Sequence, residues 1–213
     1  MLFLFMCKLI LLLNALGTCK ASDFYSLSAK DIFGKHVDFT SFQGKVVLVV
    51  NLPFECRFTD SVYEDLQGLY TELSGLETFT ILGFMSDQFG GLYPPCDEKQ
   101  ILKYKKKKLP FDFPIFKKVN VVDPGAHPVF KYLTKESQIT PDGNFYKYLI
   151  DHHGKVSEVF PPHVSILDEA FETISKYAEL TLDDAMSNMS KLIKELDKEE
   201  KEAKRKKKIS TEK

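Results

Sequence analysis

Residues 45–60 read KVVLVVNLPFECRFTD. From Lys45 to Asn51 the run is apolar and β-branched with no polar alternation, the pattern of a central strand buried on both faces. From Ser61 the period changes to that of a helix. Ser61 and Glu64 have the spacing of a capping box, and Val62, Leu66, Leu69, Tyr70 and Leu73 share one helical face. Cys56 therefore sits where a buried strand turns into a helix. A cysteine just before a helix start gains from the positive end of the helix dipole, and Arg57 adds a cation beside it, so the position favours a thiolate. Free cysteine is also among the most buried residue types and often only packs.

Working outward, the apolar stretch FTILGF at Phe79 to Phe84 predicts a second strand, which makes a strand–helix–strand unit and hence a parallel pair. Upstream, DIFGKHVDF alternates around Gly34 as a small hairpin. Downstream, Asp97 to Lys108 is weakly helical and very basic, and LPFDFPIF then breaks it with prolines. His127 to Thr134 reads as a short helix. FYKYLI and KVSEVF flank DHHG as two strands joined by a turn that Gly154 helps close. Ser165 with Asp168 caps a further helix, with Ile166, Leu167, Ala170, Phe171 and Ile174 expected to face inward. This order is that of the thioredoxin fold, an α/β architecture with a central mixed sheet flanked by helices. In that arrangement the first strand–helix junction carries the chemistry.

The chain has 213 residues and a net charge of -1, so one domain with extensions is expected, and a nucleic-acid partner is not. Residues 1–21 read as a signal peptide, apolar from Leu9 to Leu16 and ending in small residues, with cleavage after Gly17 or Ala21. An uncleaved anchor needs about 20 apolar residues, and Lys8 interrupts the run. The domain is expected over 22–180. Residues 181–213 have thin apolar content and blocks of opposite charge, which predicts a solvated helix fraying into a disordered basic tail. Of the four cysteines, Cys7 lies in the leader and Cys19 depends on the cut. Cys56 and Cys96 remain, which fits redox work in an oxidising compartment better than a disulfide framework.

Further stretches narrow the reading: FMSDQFGG at Phe84 to Gly91, GAHPVFKYLT at Gly125 to Thr134, and GNFYKYLIDHHGKV at Gly143 to Val156. Together with GKVVLVVNLPFECRFTD, they resemble the glutathione peroxidase family, whose motifs read NVASxCG, FPCNQFG and WNFxKYLV. The resemblance runs from about Phe24 to Tyr177. It implies that Cys56 is the peroxidatic cysteine, which attacks peroxide and becomes a sulfenic acid, and that Gln88 and Asn144 are amide donors to the thiolate and the departing oxygen. Apart from the family pattern, a glutamine at a strand end reads as a loop cap and an asparagine before a strand as a turn former. The resemblance further implies a peroxide substrate and a thiol reductant as co-substrate, with no bound cofactor. That reductant is glutathione, a thioredoxin-like protein or protein disulfide isomerase. With the leader, it points to the secretory pathway, either secreted or in the endoplasmic reticulum lumen.

The chain departs from the pattern in ways that bear on chemistry. The family's tryptophan, an N–H donor to the sulfur, is Gly143, and the chain has no tryptophan. Losing one preorganised donor costs about a hundred-fold or more in rate. Leu52-Pro53-Phe54 replaces VAS, and Arg57 replaces the glycine after the cysteine. Relatives place a resolving cysteine at the positions of Ser86 or Lys106, which leaves Cys96 as the resolving candidate. The short segment between Lys131 and Gly143 lacks the insertion of tetrameric members, which implies a monomer. A rival expectation is a degenerate member that keeps the fold for binding, with little turnover.

Weaker signals remain. Lys105 to Lys108 would steer an anionic reductant or simply form a solvated face. His152 and His153, in a turn without further ligands, are expected to face solvent rather than hold a metal. Asn188-Met189-Ser190 is a glycosylation sequon.

Overall fold

The computed structural model describes residues 23–53, 61–90 and 112–211. Outside them lie the leader with Cys7 and Cys19, the link with Cys56 and Arg57, and the segment with Cys96, Lys105 to Lys108 and the weak helix read over Asp97 to Lys108.

Strand β3 spans Val46–Pro53 and β4 spans Phe79–Ser86, and every residue of both is buried. They pair in parallel, Val46 opposite Phe79 and Pro53 opposite Ser86. Helix α1, Ser61–Ser74, lies between them in sequence with Glu64 in its first turn. Because both faces of the sheet are covered, these strands carry continuous apolar runs rather than alternation. Val46, Leu48, Val50 and Leu52 join Leu66, Leu69 and Leu73 of α1 in one core. Val47 and Val49 join Phe84, Phe116, Phe130 and Leu133 in the other.

Ahead of this unit, β1 (Ser28–Lys30) and β2 (His36–Asp38) form the expected antiparallel hairpin, with Gly34 at φ +85° in its turn. Beyond it, β5 (Ile115–Phe116) pairs in parallel with β4, and β6 (Lys147–Ile150) pairs antiparallel with β3 and with β7 (Val156–Phe160). The sheet order is β5-β4-β3-β6-β7, a mixed sheet. The short β5, directly after Pro114, was not anticipated. It sits close against β4 at Gly83, where a Cβ would stand 2.6 Å from Ile115 Cδ1 and 2.7 Å from Leu52 Cδ1.

Helix α2, Pro128–Ser137, starts one residue after the expected His127 and runs past the expected Thr134, and His127 caps it, its ring accepting from Val129 N–H. Ser165 Oγ accepts from Asp168 N–H at 3.2 Å and opens a π-wound turn, Ile166–Ala170, that continues as α3, Phe171–Thr211. Ile166, Ala170 and Ile174 are buried as expected. Leu167 is not, being 39% exposed. The π turn, in which Ala170 N–H reaches Ser165 O at 3.2 Å, adds a residue to the turn and rotates Leu167 away from the face a regular helix would give it. The composition break at Leu180 falls inside this one continuous helix. Past it Met186, Met189 and Ile193 are 54%, 64% and 53% exposed. No helix among the described residues is long and apolar enough to cross a membrane.

Candidate functional site at the end of the parallel strands

Parallel strands β3 and β4 deliver their C-terminal ends, Pro53 and Ser86, to the same edge of the sheet. Because β6 runs antiparallel to β3, with Lys147 opposite Val50, the residues just before β6 reach that edge too. The link to Cys56 leaves β3 at Pro53; Cys56 itself and Cys96 lie outside the described residues. Ser86, in the position where relatives hold a thiol, is fully buried and accepts from the Gln88 N–H at 3.3 Å.

Gln88 works on a neighbouring loop. Its Oε1 accepts from the N–H groups of Val121 and Val122, and its Nε2 donates to Val122 O at 2.9 Å. This fixes the stretch that leads into α2. One N–H of the carboxamide is used, and the geometry of an NH₂ group leaves a second hydrogen to donate. A cavity of about 480 Å³ is lined by the same two valines together with Phe130, Lys131, Lys135 and Thr140.

Asn144 lies in the turn before β6. Its Nδ2 donates to Gly90 O at 2.9 Å, and its buried Oδ1 has no hydrogen-bond partner among the described residues. Gly90, at φ +65°, ends a turn whose N–H returns to Asp87 O at 3.4 Å, and Gln88 sits inside that turn. The structure thus brings Gln88 and Asn144 to one turn beside Ser86, each tied to backbone. Gln88 acts as a cap on the Val121–Val122 loop and Asn144 ties its turn to Gly90, and among the described residues each amide has a second hydrogen left to donate.

Sequence reasoning missed Asn51. It is fully buried in β3, donates from Nδ2 to Gly143 O at 2.9 Å, and accepts on Oδ1 from Tyr146 N–H at 2.8 Å. The available signal was an amide inside an otherwise apolar strand. Gly143 has open space around it: a Cβ there would meet nothing within 4 Å.

On the far side of β6, His152 of the DHHG turn packs on α3 rather than facing solvent as expected, while His153 is exposed. His152 Nδ1 lies 3.3 Å from Thr181 Oγ1 and its Nε2 3.6 Å from Asp184 Oδ2. Burial, then the neighbouring His153, holds the His152 pKa below its ordinary value, with Asp151 and Asp184 pulling the other way. Among the described residues, no group of three or more His, Cys, Asp or Glu side chains is placed to hold a metal. Asn188 is exposed on α3.

Comparison with known proteins places this geometry. The family model for glutathione peroxidase matches residues 24–134. The chain is 41% identical over 157 residues to glutathione peroxidase 7 of Bos taurus, covering 73% of this chain and 83% of that protein. It is 35% identical over 159 residues to the probable glutathione peroxidase 8 of Mus musculus, covering 74% and 75%. Among solved structures, T. cruzi GPX1 superposes with a TM-score of 0.59 at 27% identity, covering 73% of this chain and 96% of that one. The apo form of Trgpx does so with a TM-score of 0.60 at 28% identity, covering 73% and 95%. With a thioredoxin-fold sheet and the site motifs gathered at its edge, the chain belongs to the glutathione peroxidase family, whose members are oxidoreductases acting on peroxides.

Proposed function

We propose that the chain reduces hydrogen peroxide or organic hydroperoxides through Cys56. The Cys56 thiolate attacks the distal peroxide oxygen, the O–O bond breaks, and the departing oxygen leaves as water or an alcohol after taking a proton. Sulfur is oxidised to the sulfenic acid as the peroxide is reduced. A thiol then attacks that sulfur, water leaves, and a disulfide forms; a second thiol completes the return to Cys56. Gln88 and Asn144 donate their spare N–H groups to the charge that develops on sulfur and oxygen. No bound cofactor enters this reading, since the thiol reductant is a co-substrate.

One observation supports this assignment above the others. Asn144 reaches Gly90, two residues beyond Gln88, while Pro53, where the link to Cys56 departs, pairs with the Ser86 that precedes that turn. Peroxide consumption by the purified protein, compared with Cys56→Ser, tests the proposal. Loss of turnover in Cys56→Ser is expected, and equal consumption by the two proteins would overturn it.

The finer readings rest partly on the family pattern and partly on what this chain carries where it departs from it. Cys96 attacks the sulfenic acid to give a Cys56–Cys96 disulfide, and glutathione, a thioredoxin-like protein or protein disulfide isomerase reduces it. The protein works as a monomer in the secretory pathway, and Asn188 is a glycosylation site there. Peptide mass spectrometry after one equivalent of peroxide checks the disulfide. A sulfinic Cys56 with Cys96 free would remove internal resolution. The open space at Gly143 favours a second reading, a member that keeps the fold for binding with little turnover. Full peroxide turnover would exclude it.

A further inference from the structure

We infer that Asn51 is a positioning residue of the peroxidase site, setting the aim of Asn144 by clamping the turn that carries it. The inference rests on the roles proposed above for Cys56 and Asn144, and it adds a residue whose role neither the motifs nor the comparisons assign.

The turn from Gly143 to Tyr146 has a bond of its own at its base, from Tyr146 Oη to Asp142 Oδ1 at 2.8 Å, but its carbonyl and N–H groups also reach across to β3. It contains Phe145 at φ +67°, a left-handed conformation that a bulky residue adopts at a cost of about 1–3 kcal/mol and keeps only when its surroundings over-determine it. Asn51 supplies that constraint with its backbone and its side chain together. Phe145 N–H donates to Asn51 O at 2.8 Å, and Asn51 N–H donates to Tyr146 O at 3.3 Å. The carboxamide then bridges the turn, giving a hydrogen to Gly143 O at 2.9 Å and taking one from Tyr146 N–H at 2.8 Å. Asn144 is thus held on both sides, by the clamp on Gly143 before it and by the clamps on Phe145 and Tyr146 after it. Its own amide is then set at 2.9 Å from Gly90 O, on the turn that contains Gln88.

The residue type follows from the task. Valine or leucine would suit a fully buried strand, and they fill its neighbouring positions. A buried carboxamide is tolerated only when hydrogen-bonded, and a donor and an acceptor on one short rigid side chain are what a bridge between a carbonyl and an N–H requires. Asn51 also lies two residues before Pro53 on the strand that leads to Cys56. One side chain therefore couples the strand that leads toward Cys56 to the turn that carries Asn144.

The test is a double-mutant cycle on the full chain, read by the rate of Cys56 sulfenic acid formation with hydrogen peroxide and by the apparent Cys56 thiol pKa. The pKa is taken from the pH dependence of iodoacetamide alkylation by peptide mass spectrometry, which needs no turnover. Asn51→Asp keeps the acceptor for Tyr146 N–H and loses the donor to Gly143 O. Asn51→Thr, β-branched and suited to the strand, reaches only one partner and carries the test if the aspartate variant fails to fold. Either variant is expected to slow Cys56 oxidation by about ten- to a hundred-fold and to raise its thiol pKa, with the effect largely absent in an Asn144→Ala background. A folded Asn51→Thr protein with unchanged rate and thiol pKa, beside a slowed Asn144→Ala protein, would overturn the role of Asn51 alone. Equal slowing by Asn51→Thr in both backgrounds would mean a structural role and also overturn it. Unchanged behaviour of Asn144→Ala would remove the role of Asn144 and this inference with it. A wild type that alkylates with the expected coupling but consumes no peroxide would remove the proposed activity and leave the clamp standing.

Discussion

Strand β6 has a turn at each end, and the two draw differently on bonds from within and from outside. The turn after it, Asp151 to Lys155, closes largely on its own residues, with Tyr25 Oη on Asp151 O at 3.0 Å and Tyr132 Oη on Gly154 O at 2.7 Å from outside. Asp151 Oδ1 accepts from His153 N–H and Lys155 N–H at 2.9 Å each, Gly154 N–H returns to Asp151 O at 2.8 Å, and Gly154 supplies the left-handed φ of +81°. The turn before it puts Phe145 in the left-handed region and relies on Asn51, a residue 92 positions from Gly143 in the chain. A self-closed turn needs only local chemistry. A turn aimed at a site is shaped from outside, because its conformation answers to the groups it must meet.

The largest expected effect comes from removing the outside clamp. Asn51→Ala leaves the Gly143 carbonyl and Tyr146 N–H without their buried partner, a loss of about 2–5 kcal/mol, whereas Asp151→Ala, at a half-buried position, costs about 1 kcal/mol. Urea denaturation of the two variants measures both, and the reverse ranking would break the comparison. Next is Lys147, the first residue of β6, which is 1% exposed. Its Nζ donates to Pro161 O at 3.0 Å and Val164 O at 3.1 Å, and burial lowers its pKa to about 8 against the pull of Asp65 and Glu169. The folded chain then binds fewer protons here than the unfolded chain between pH 8 and 10.5, so this group adds stability as pH rises through that window, by about 3 kcal/mol at most. Burial raises the pKa values of Tyr25 and Tyr148, which act in the opposite sense above pH 10. The difference between wild type and Lys147→Met, followed against pH, isolates the lysine; parallel curves would exclude the effect. Smaller still is Gly154→Ala, which forces an L-residue to φ +81° and is expected to cost about 1–2 kcal/mol while leaving the peroxide rate unchanged. The smallest is Gly143→Ala, with open space at its Cβ, expected within about 0.5 kcal/mol of wild type by thermal unfolding.

The difference between the turns also marks what the sequence discloses. Asp151, Gly154 and the strands beside them were legible because their chemistry is local, and β3 and β4 because a strand covered on both faces must be apolar throughout. The order of elements and the motif spacing then carried the fold. Strand β5 was not legible, since two residues have no period, and its place depends on Gly83 having no side chain. Leu167 was assigned inward because a helical wheel assumes 3.6 residues per turn, and the π turn breaks that assumption. At the site, the residue types Gln88 and Asn144 were readable from the motifs. Their grip on Val122 and Gly90 was not, because those partners are fixed by tertiary packing. Asn51 stood in plain view as a polar residue in an apolar strand, but its partners lie more than ninety residues downstream.

Gly143 has a spectroscopic consequence as well. A chain with no tryptophan has no indole fluorescence, so any indole introduced into it emits against a dark background. A Cβ at Gly143 meets nothing within 4 Å, so the position is open to a side chain. Gly143→Trp would place a single fluorophore next to Asn144, at the edge of the sheet to which the strand before Cys56 leads. Its emission would then report oxidation and reduction of that edge in real time, on a protein whose other aromatic residues are silent at indole wavelengths.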